Sequence, residues 1–141
     1  MMRFLSRNRV RHPFFPNLAA APAAEARRRS VAVAGTFGEL TRAAAAGVRP
    51  RRAVFVLTGE REFPGEGERD RLWNLFQVPV YALLVDRGGR IVAWECEAQA
   101  GLHVEAGSAL RLGTREERAC ACGRPGPRVM LDRVAAASAA D

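Results

Sequence analysis

The amino-acid sequence predicts an α/β fold, a small mixed sheet with two flanking helices. Three features predict it: short apolar runs typical of buried strands, two segments with the capping residues or the periodicity of helices, and a glycine-rich turn between the last two apolar runs. A chain of 141 residues, of which 48% are hydrophobic, can bury a core, and one domain is expected.

The first predicted helix begins at a capping box. Thr36 and Glu39 in "TFGE" have the spacing at which each side chain bonds to the other residue's backbone amide. The helix would run through "LTRAAAA" and end at Gly47, with Pro50 beyond it.

The second predicted helix is "GERDRLWNLF". Leu72, Trp73 and Phe76 would form its apolar stripe, and Glu66 and Glu68 would lie near its positive end. The strand "RAVFVLTG" comes before this helix, and "VPVYALLVD" and "RIVAWECEA" come after it. The "RGG" between the last two predicts a hairpin.

The two ends of the chain differ in composition from the centre. Residues 1–29 contain seven arginines and one acid, Glu25, whereas the rest contains fifteen arginines and fourteen acids. We therefore expect a basic, disordered arm over residues 1–30, a domain over 31–133 and a flexible tail over 134–141. The arm is interpreted as a solvated leader of a bacterial protein, with targeting or polyanion binding as alternatives.

No apolar run approaches the roughly 18 residues of a membrane-spanning helix. We therefore expect a cytoplasmic protein with no membrane contact. We do not expect nucleic acid as a partner, because only the charge of the arm favours it.

The cysteines and one histidine fall into two clusters, "ECEAQAGLH" and "CAC". Their four candidate ligands are Cys96, His103, Cys120 and Cys122. Three cysteines and a histidine form one of the tetrahedral sets that structural zinc accepts, and Gly101 and Gly123 would let the backbone wrap an ion. Buried free cysteines are the alternative; a disulfide fits an odd cysteine count poorly, and a catalytic Cys–His pair lacks an identifiable orienting group.

Two boxes give the sequence a family resemblance. "ECEAQAGLH" and "CACGRPGPR", with the segments between residues 40 and 130, resemble the central part of phenylacetate–CoA ligase-type adenylate-forming enzymes. The resemblance implies that the two boxes meet around a structural Zn²⁺. The fold class would then include a zinc-clamped β-hairpin or ribbon.

The resemblance also implies nucleotide-facing positions, Thr58, Gly59 and Glu60 in one turn and Tyr81 in the next strand. These are expected to be vestigial. Val85 stands where the family has its magnesium carboxylate, and neither a phosphate loop nor any lysine is present. No catalytic residue is predicted.

The function expected from the sequence is a non-enzymatic, zinc-binding module that acts in protein interaction or as an accessory subunit. One alternative is a subunit of a split acyl-activating ligase with residual acyl or nucleotide binding, and a second is polyanion binding through the basic arm. A protein partner or a homodimer is expected, because two-sided apolar strands would exceed the cover that two helices provide.

Overall fold

The computed structural model describes residues 9–59, 66–105, 115–116, 118–126 and 128–129. Nine strands of these residues form one sheet in the order β1-β2-β3-β4-β5-β6-β7-β9-β8. The strands are β1 Val10–His12, β2 Phe15–Pro22, β3 Ala32–Gly35, β4 Ala53–Thr58, β5 Val80–Val85, β6 Ile91–Glu95, β7 Leu102–Val104, β8 Arg115–Glu116 and β9 Arg128–Val129. The helices are α1 Phe37–Ala45 and α2 Glu66–Phe76, with a 3₁₀ turn at Ala23–Glu25.

The sheet is mixed, as the sequence predicts. Strands β2 to β5 are parallel, and every pair from β5 to β8 is antiparallel. The predicted hairpin is the β5–β6 pair, closed by a turn in which the Asp86 carboxylate accepts hydrogen bonds from the amides of Gly88 and Arg90. The predicted α/β class with two helices is therefore confirmed. Among the described residues, neither helix has the length and apolar character that crossing a membrane requires.

Helix α1 begins at the predicted capping box. The Glu39 amide donates to the Thr36 hydroxyl at 3.2 Å, and the Thr36 amide donates to the Glu39 carboxylate at 2.9 Å. The helix ends at Ala45, and Gly47 follows with a φ of +92°, a conformation that favours glycine. Both predicted boundaries are confirmed.

Helix α2 confirms two of its three predicted core residues. Leu72 and Phe76 are buried, but Trp73 is 48% exposed, so its assignment to the core is wrong. Leu72 and Phe76 are four residues apart and share one helix face, whereas Trp73 lies about 100° round the helix from Leu72. The indole is therefore at the margin of the buried stripe.

The two faces of the sheet are covered by different elements. On one face, Leu40 of α1 and Leu72 and Phe76 of α2 pack against Val54 and Val56 of β4. On the opposite face, a second cluster joins the N-terminal hairpin to the centre of the sheet. Its large members are Val10, Phe15, Leu18, Phe55, Leu57, Leu83 and Val85.

The prediction of a disordered arm over residues 1–30 is wrong for the two strands that it contains. Strand β1 pairs with β2, and β2 pairs in parallel with β3 through Ala21 and Val33. Val10 and His12 are buried while Arg11 between them is exposed. Arg9 and Arg11 are exposed and alternate with the buried Val10 and His12, which is the period of two of a strand. Residues 1–8 and the predicted tail, 134–141, lie outside the described residues.

The hairpin also removes the reason for expecting an uncovered sheet face. Phe55 and Leu83, at the centre of that face, are fully buried. Among the described residues, Trp73 is the one exposed large hydrophobic side chain, and it lies on a helix. The homodimer therefore remains a prediction, but the described residues do not show the exposed apolar sheet face on which it was based.

His12 fixes the hairpin against the sheet. Its Nδ1 accepts the Phe14 amide at 3.0 Å, so its Nε2 carries the proton and donates it to the Glu95 carbonyl. The ring is buried and stacks on Phe15 with a centroid distance of 4.3 Å. Burial lowers the pKa of His12 from its ordinary value of 6.5 to about 4. The folded chain therefore holds this histidine neutral.

This burial predicts a pH dependence of stability. Between the two pKa values, the unfolded chain binds a proton at His12 that the folded chain does not, so the free energy of unfolding falls as the pH falls through this window. From about pH 7 to about pH 5, wild type should lose about 2 kcal/mol more than His12→Gln, as measured by denaturant unfolding. Both proteins have the same cysteines and the same His103, so acid release of a metal affects them alike. Parallel pH profiles would contradict the assignment.

Candidate metal centre

Cys96 and His103 lie on either side of one tight loop. Cys96 directly follows β6, and His103 is the central residue of β7, paired with Trp94 on β6. The loop between them turns at Gln99, whose φ is +50°, and at Gly101, whose φ is +102°. A glycine is well suited to the second position, because side chains with a Cβ rarely adopt that conformation.

Cys120 and Cys122 lie in a turn that comes before β9. The Gly123 amide donates to the Cys120 carbonyl at 2.9 Å, and Gly123 has a φ of +84°. Strand β9 pairs with β7 through Arg128 and His103. Pairing of β7 with β9 therefore brings the second cluster to the first.

The four candidate ligands converge. Their ligand atoms, three thiol sulfurs and one imidazole nitrogen, all lie within 4.8 Å of one another. The Sγ atoms of Cys96 and Cys120 are 3.6 Å apart, and Cys122 Sγ is 3.6 Å from His103 Nε2. Cys122 is partly exposed, and the other three residues are buried. The structure thus assembles a cluster that can hold a metal ion from all four residues that the sequence identified.

Three of the four candidate ligands have shifted pKa values. Burial raises the pKa of the Cys96 thiol to about 11. Burial also acts to raise the pKa of Cys122, but hydrogen bonds from Arg124 outweigh it and the net pKa is lowered. Burial and the charges of Arg128 and Arg124 lower the pKa of His103, which keeps its imidazole neutral. A metal ion supplies the positive charge that buried thiolates need.

Arg128 joins the two ligand loops. Its side chain is buried, and one guanidinium nitrogen donates to the Ala100 carbonyl at 2.6 Å while the other donates to the Arg118 carbonyl at 3.2 Å. Ala100 belongs to the loop between the first two ligands, and Arg118 comes just before the third. Arg128 therefore positions both loops without contributing a ligand.

Glu95 anchors the strand that carries Cys96. Its fully buried carboxylate accepts the Ala82 amide at 2.6 Å and pairs with Arg69 of α2 through contacts of 2.9 Å. Burial raises the pKa of Glu95, whereas Arg69 acts to lower it. Glu95 thus links β6 to β5 and to α2 at the position directly before Cys96.

The turn of the N-terminal hairpin covers the cluster. The Phe14 ring meets the His103 ring edge-on at 4.8 Å and the Trp94 ring at 5.6 Å. The Arg124 guanidinium lies 4.2 Å from the Phe14 centroid and donates to both Glu97 carboxylate oxygens, at 2.8 and 2.9 Å. The hairpin, read from sequence as an arm, is therefore part of the candidate site.

The predicted nucleotide-facing residues are not brought together. Thr58 is beside Leu84 in the sheet, whereas Tyr81 is beside Phe55, about 10 Å away along the strands. Thr58 shares a face of β4 with Val54 and Val56, whose side chains face the helices. Tyr81 packs on the opposite face of the sheet with Phe55. Gly59 follows Thr58 at the far end of β4, and Glu60 lies outside the described residues.

A cavity of about 420 Å³ lies at the Tyr81 end of the sheet. It is lined by Arg69, Asp70, Trp73, Pro79, Val80, Tyr81, Glu97 and Gln99. Neither Thr58 nor Gly59 contributes to it. Of the described nucleotide-facing residues, Tyr81 therefore borders this cavity, and Thr58 and Gly59 do not.

Sequence reasoning missed the residues around the ligands. Phe14 and Arg128 are not metal-ligand types, and both ring nitrogens of His12 are engaged by backbone groups; the sheet brings all three to the cluster from distant segments. Alternating burial in "VRH" is the one local pattern that could have indicated β1. No protein-family model and no curated protein matches the chain.

Truncation of Phe14 should loosen the cover without removing a ligand. Phe14→Ala deletes the ring contacts with His103, Trp94 and Arg124, and we expect the free energy of unfolding to fall by about 1–3 kcal/mol. Trp73→Ala is the control, since it removes a larger but exposed ring and should cost about 0.5 kcal/mol or less. Equal losses in the two variants would show that Phe14 does not hold the hairpin in place.

Proposed function

We propose that this protein is a non-enzymatic α/β module whose fold is held by a structural zinc ion. The observation that carries the proposal is the convergence of Cys96, His103, Cys120 and Cys122, with all ligand atoms within 4.8 Å. Three thiolates and an imidazole satisfy the four positions that zinc takes in structural sites, whereas catalytic sites keep one position open.

The distances support zinc in particular. Zn–S bonds of about 2.3 Å and Zn–N bonds of about 2.0 Å in a tetrahedron place neighbouring ligand atoms about 3.5–3.8 Å apart. The separations of 3.6 Å between Cys96 and Cys120 and between Cys122 and His103 fall in this range. The widest separation, 4.8 Å, requires one ligand to close by about 1 Å.

The antiparallel end of the sheet is where a metal would contribute most to folding. Strands β7, β9 and β8 have three, two and two residues, so their ladders contain few hydrogen bonds. Such short strands stabilise one another weakly, and zinc binding adds its own free energy to that of folding. A metal at this end would also hold His103 beneath Phe14, and thereby the N-terminal hairpin.

The role of the module is proposed to be that of an accessory subunit or interaction domain, derived from a domain like that of the phenylacetate–CoA ligases. The motif resemblance supports this derivation. A split ligase with residual ligand binding is the alternative, and the cavity beside Tyr81 is the observation that favours it.

Metal content tests the proposed centre, and the chain offers a matched pair of variants. His103→Gln should lose the roughly one zinc per chain that wild type carries, because the imidazole is a ligand. His12→Gln should keep it, because His12 is buried nearby but contacts the Glu95 carbonyl instead. Elemental analysis after gel filtration measures both, and cobalt substitution should give the absorption of a tetrahedral thiolate site.

Cys122→Ser extends the test to the partly exposed ligand. We expect it to lose metal and much of its thermal stability. Unchanged zinc in this variant would remove Cys122 from the site, and unchanged zinc in His103→Gln would reject the four-ligand centre as a whole.

The non-enzymatic role has its own test. The isolated chain should not catalyse ATP–pyrophosphate exchange with aryl or fatty acids. Val85, at the position of the family's magnesium carboxylate, is buried against β6, and the Asp86 carboxylate is held by turn amides. Exchange well above background that is lost in Tyr81→Ala would favour the split ligase instead.

A further inference from the structure

Five exposed arginines come together from two separate segments. Three belong to the run that precedes β3, and two come immediately before β4. They are Arg27, Arg28, Arg29, Arg51 and Arg52, and we call them the arginine surface. Sequence composition assigned the first three to a disordered arm and the last two to a nearly neutral domain.

Backbone hydrogen bonds hold the two segments side by side. The amide of Arg49 donates to the Arg28 carbonyl at 2.7 Å, and the amides of Arg51 and Arg52 donate to Ser30 and Val31. The Ser30 hydroxyl fixes the first segment, since it accepts the Arg27 amide at 3.0 Å and donates to the Arg27 carbonyl. Arg28 and Arg29 thus lie in a turn that is held beside the segment preceding β4, at the end where the parallel β3–β4 pair begins.

The charge of this surface is not neutralised by the residues that the structure describes. In the described part of the chain, none of the five side chains forms an ion pair or a hydrogen bond. Residues 26–52 contain seven arginines and one acid, Glu39, whose carboxylate is engaged in the α1 capping box. Glu25, the next acid along the chain, makes no ion pair with them.

We propose that the arginine surface binds the phosphate backbone of a nucleic acid. Guanidinium forks match phosphate oxygens in pairs, and clustered cations without acidic neighbours form the electrostatic footprint of such binding. An acidic protein partner is disfavoured, because protein interfaces have an apolar and aromatic centre and the described exposed large hydrophobic, Trp73, lies on α2. The fold thus places these charges on one defined surface, formed by two segments that backbone hydrogen bonds hold together.

Binding should be independent of base sequence and strongly dependent on salt. Five arginines on two adjoining segments can contact about three or four phosphates. The logarithm of the binding constant should then fall with the logarithm of salt with a slope of about −3 to −4 for duplex DNA. Single-stranded RNA of equal length should give a shallower slope, about −0.7 per phosphate, and the comparison identifies the preferred source of phosphates.

The test compares two double variants of the full, metal-loaded chain. Arg51→Gln with Arg52→Gln removes two charges from the arginine surface, and Arg71→Gln with Arg87→Gln removes two exposed charges elsewhere. Arg87 lies in the β5–β6 turn, at the opposite end of the parallel strands, and Arg71 is on α2. Fluorescence anisotropy with labelled DNA and RNA measures affinity across salt, and circular dichroism confirms that both variants fold.

The surface variant should bind roughly 10-fold or more weakly at low salt, with a slope reduced by nearly 2, and the control variant should stay within about two-fold of wild type. Equal losses in both variants would show a response to net charge alone and overturn the proposal. Absence of wild-type binding to either nucleic acid at low salt would also overturn it, as would equal competition by poly-glutamate at matched charge.

Discussion

The packing of the N-terminal hairpin on the sheet is the interaction on which the rest of this structure depends. Its strands supply the apolar cover for the face that the helices leave open, with Val10 and Phe15 against Phe55 and Leu83. One end of the hairpin is fixed by the pairing of β2 with β3. At the other end, Phe14 in its turn contacts His103 on β7. A domain this small has few residues with which to bury both sides of a parallel sheet, so thirteen residues that complete the second face decide whether it forms one core.

Different interactions stabilise the two halves of the sheet: apolar packing in the parallel half and polar links in the antiparallel half. From β3 to β5, parallel ladders of four and five residue pairs and side chains such as Phe55 and Leu72 form a core of ordinary apolar packing. From β6 onward the strands shorten, and polar links take over: Glu95 with Arg69, and Arg128 with the two ligand loops. Buried charges of this kind are costly unless each is fully paired. A metal among the cysteines would add a cation beside thiols whose charged form burial otherwise disfavours.

The sequence predicted local features well and long-range ones poorly. The capping box of α1 and the β5–β6 hairpin depend on residue types at short spacings, and the structure contains both. The ligand clusters were identified by residue type, but their convergence depends on the long-range pairing of β7 with β9 and was implied only by the resemblance. Strand β3 and both strands of the hairpin were missed because "SVAVAG" and "LAAAP" are short and alanine-rich, with little periodicity to detect. Trp73 was wrongly assigned to the core, because residue spacing alone does not distinguish the centre of an apolar helix stripe from its edge. The partners of His12 and Phe14 depend on sheet register between segments some 80 residues apart, which no local pattern encodes.

Sheet register also relates the candidate metal centre to the arginine surface. Val54 is beside Val80, and Leu83 is beside Trp94, so Cys96 lies level with the amino end of β5, as Arg52 does with the amino end of β4. Both sites therefore occupy the same end of the sheet. The chain leaves β2 at Pro22 and returns over the helix-covered face through Ala23 and Ala26 before it reaches the arginines. Phe14 of the hairpin contacts His103 of the candidate metal centre, and β2 of the same hairpin leads into this crossover. The arginines that follow the crossover are held by backbone bonds from Arg49, Arg51 and Arg52, so one continuous segment runs from the cover of the candidate metal centre to the arginine surface, and the two sites share no residue.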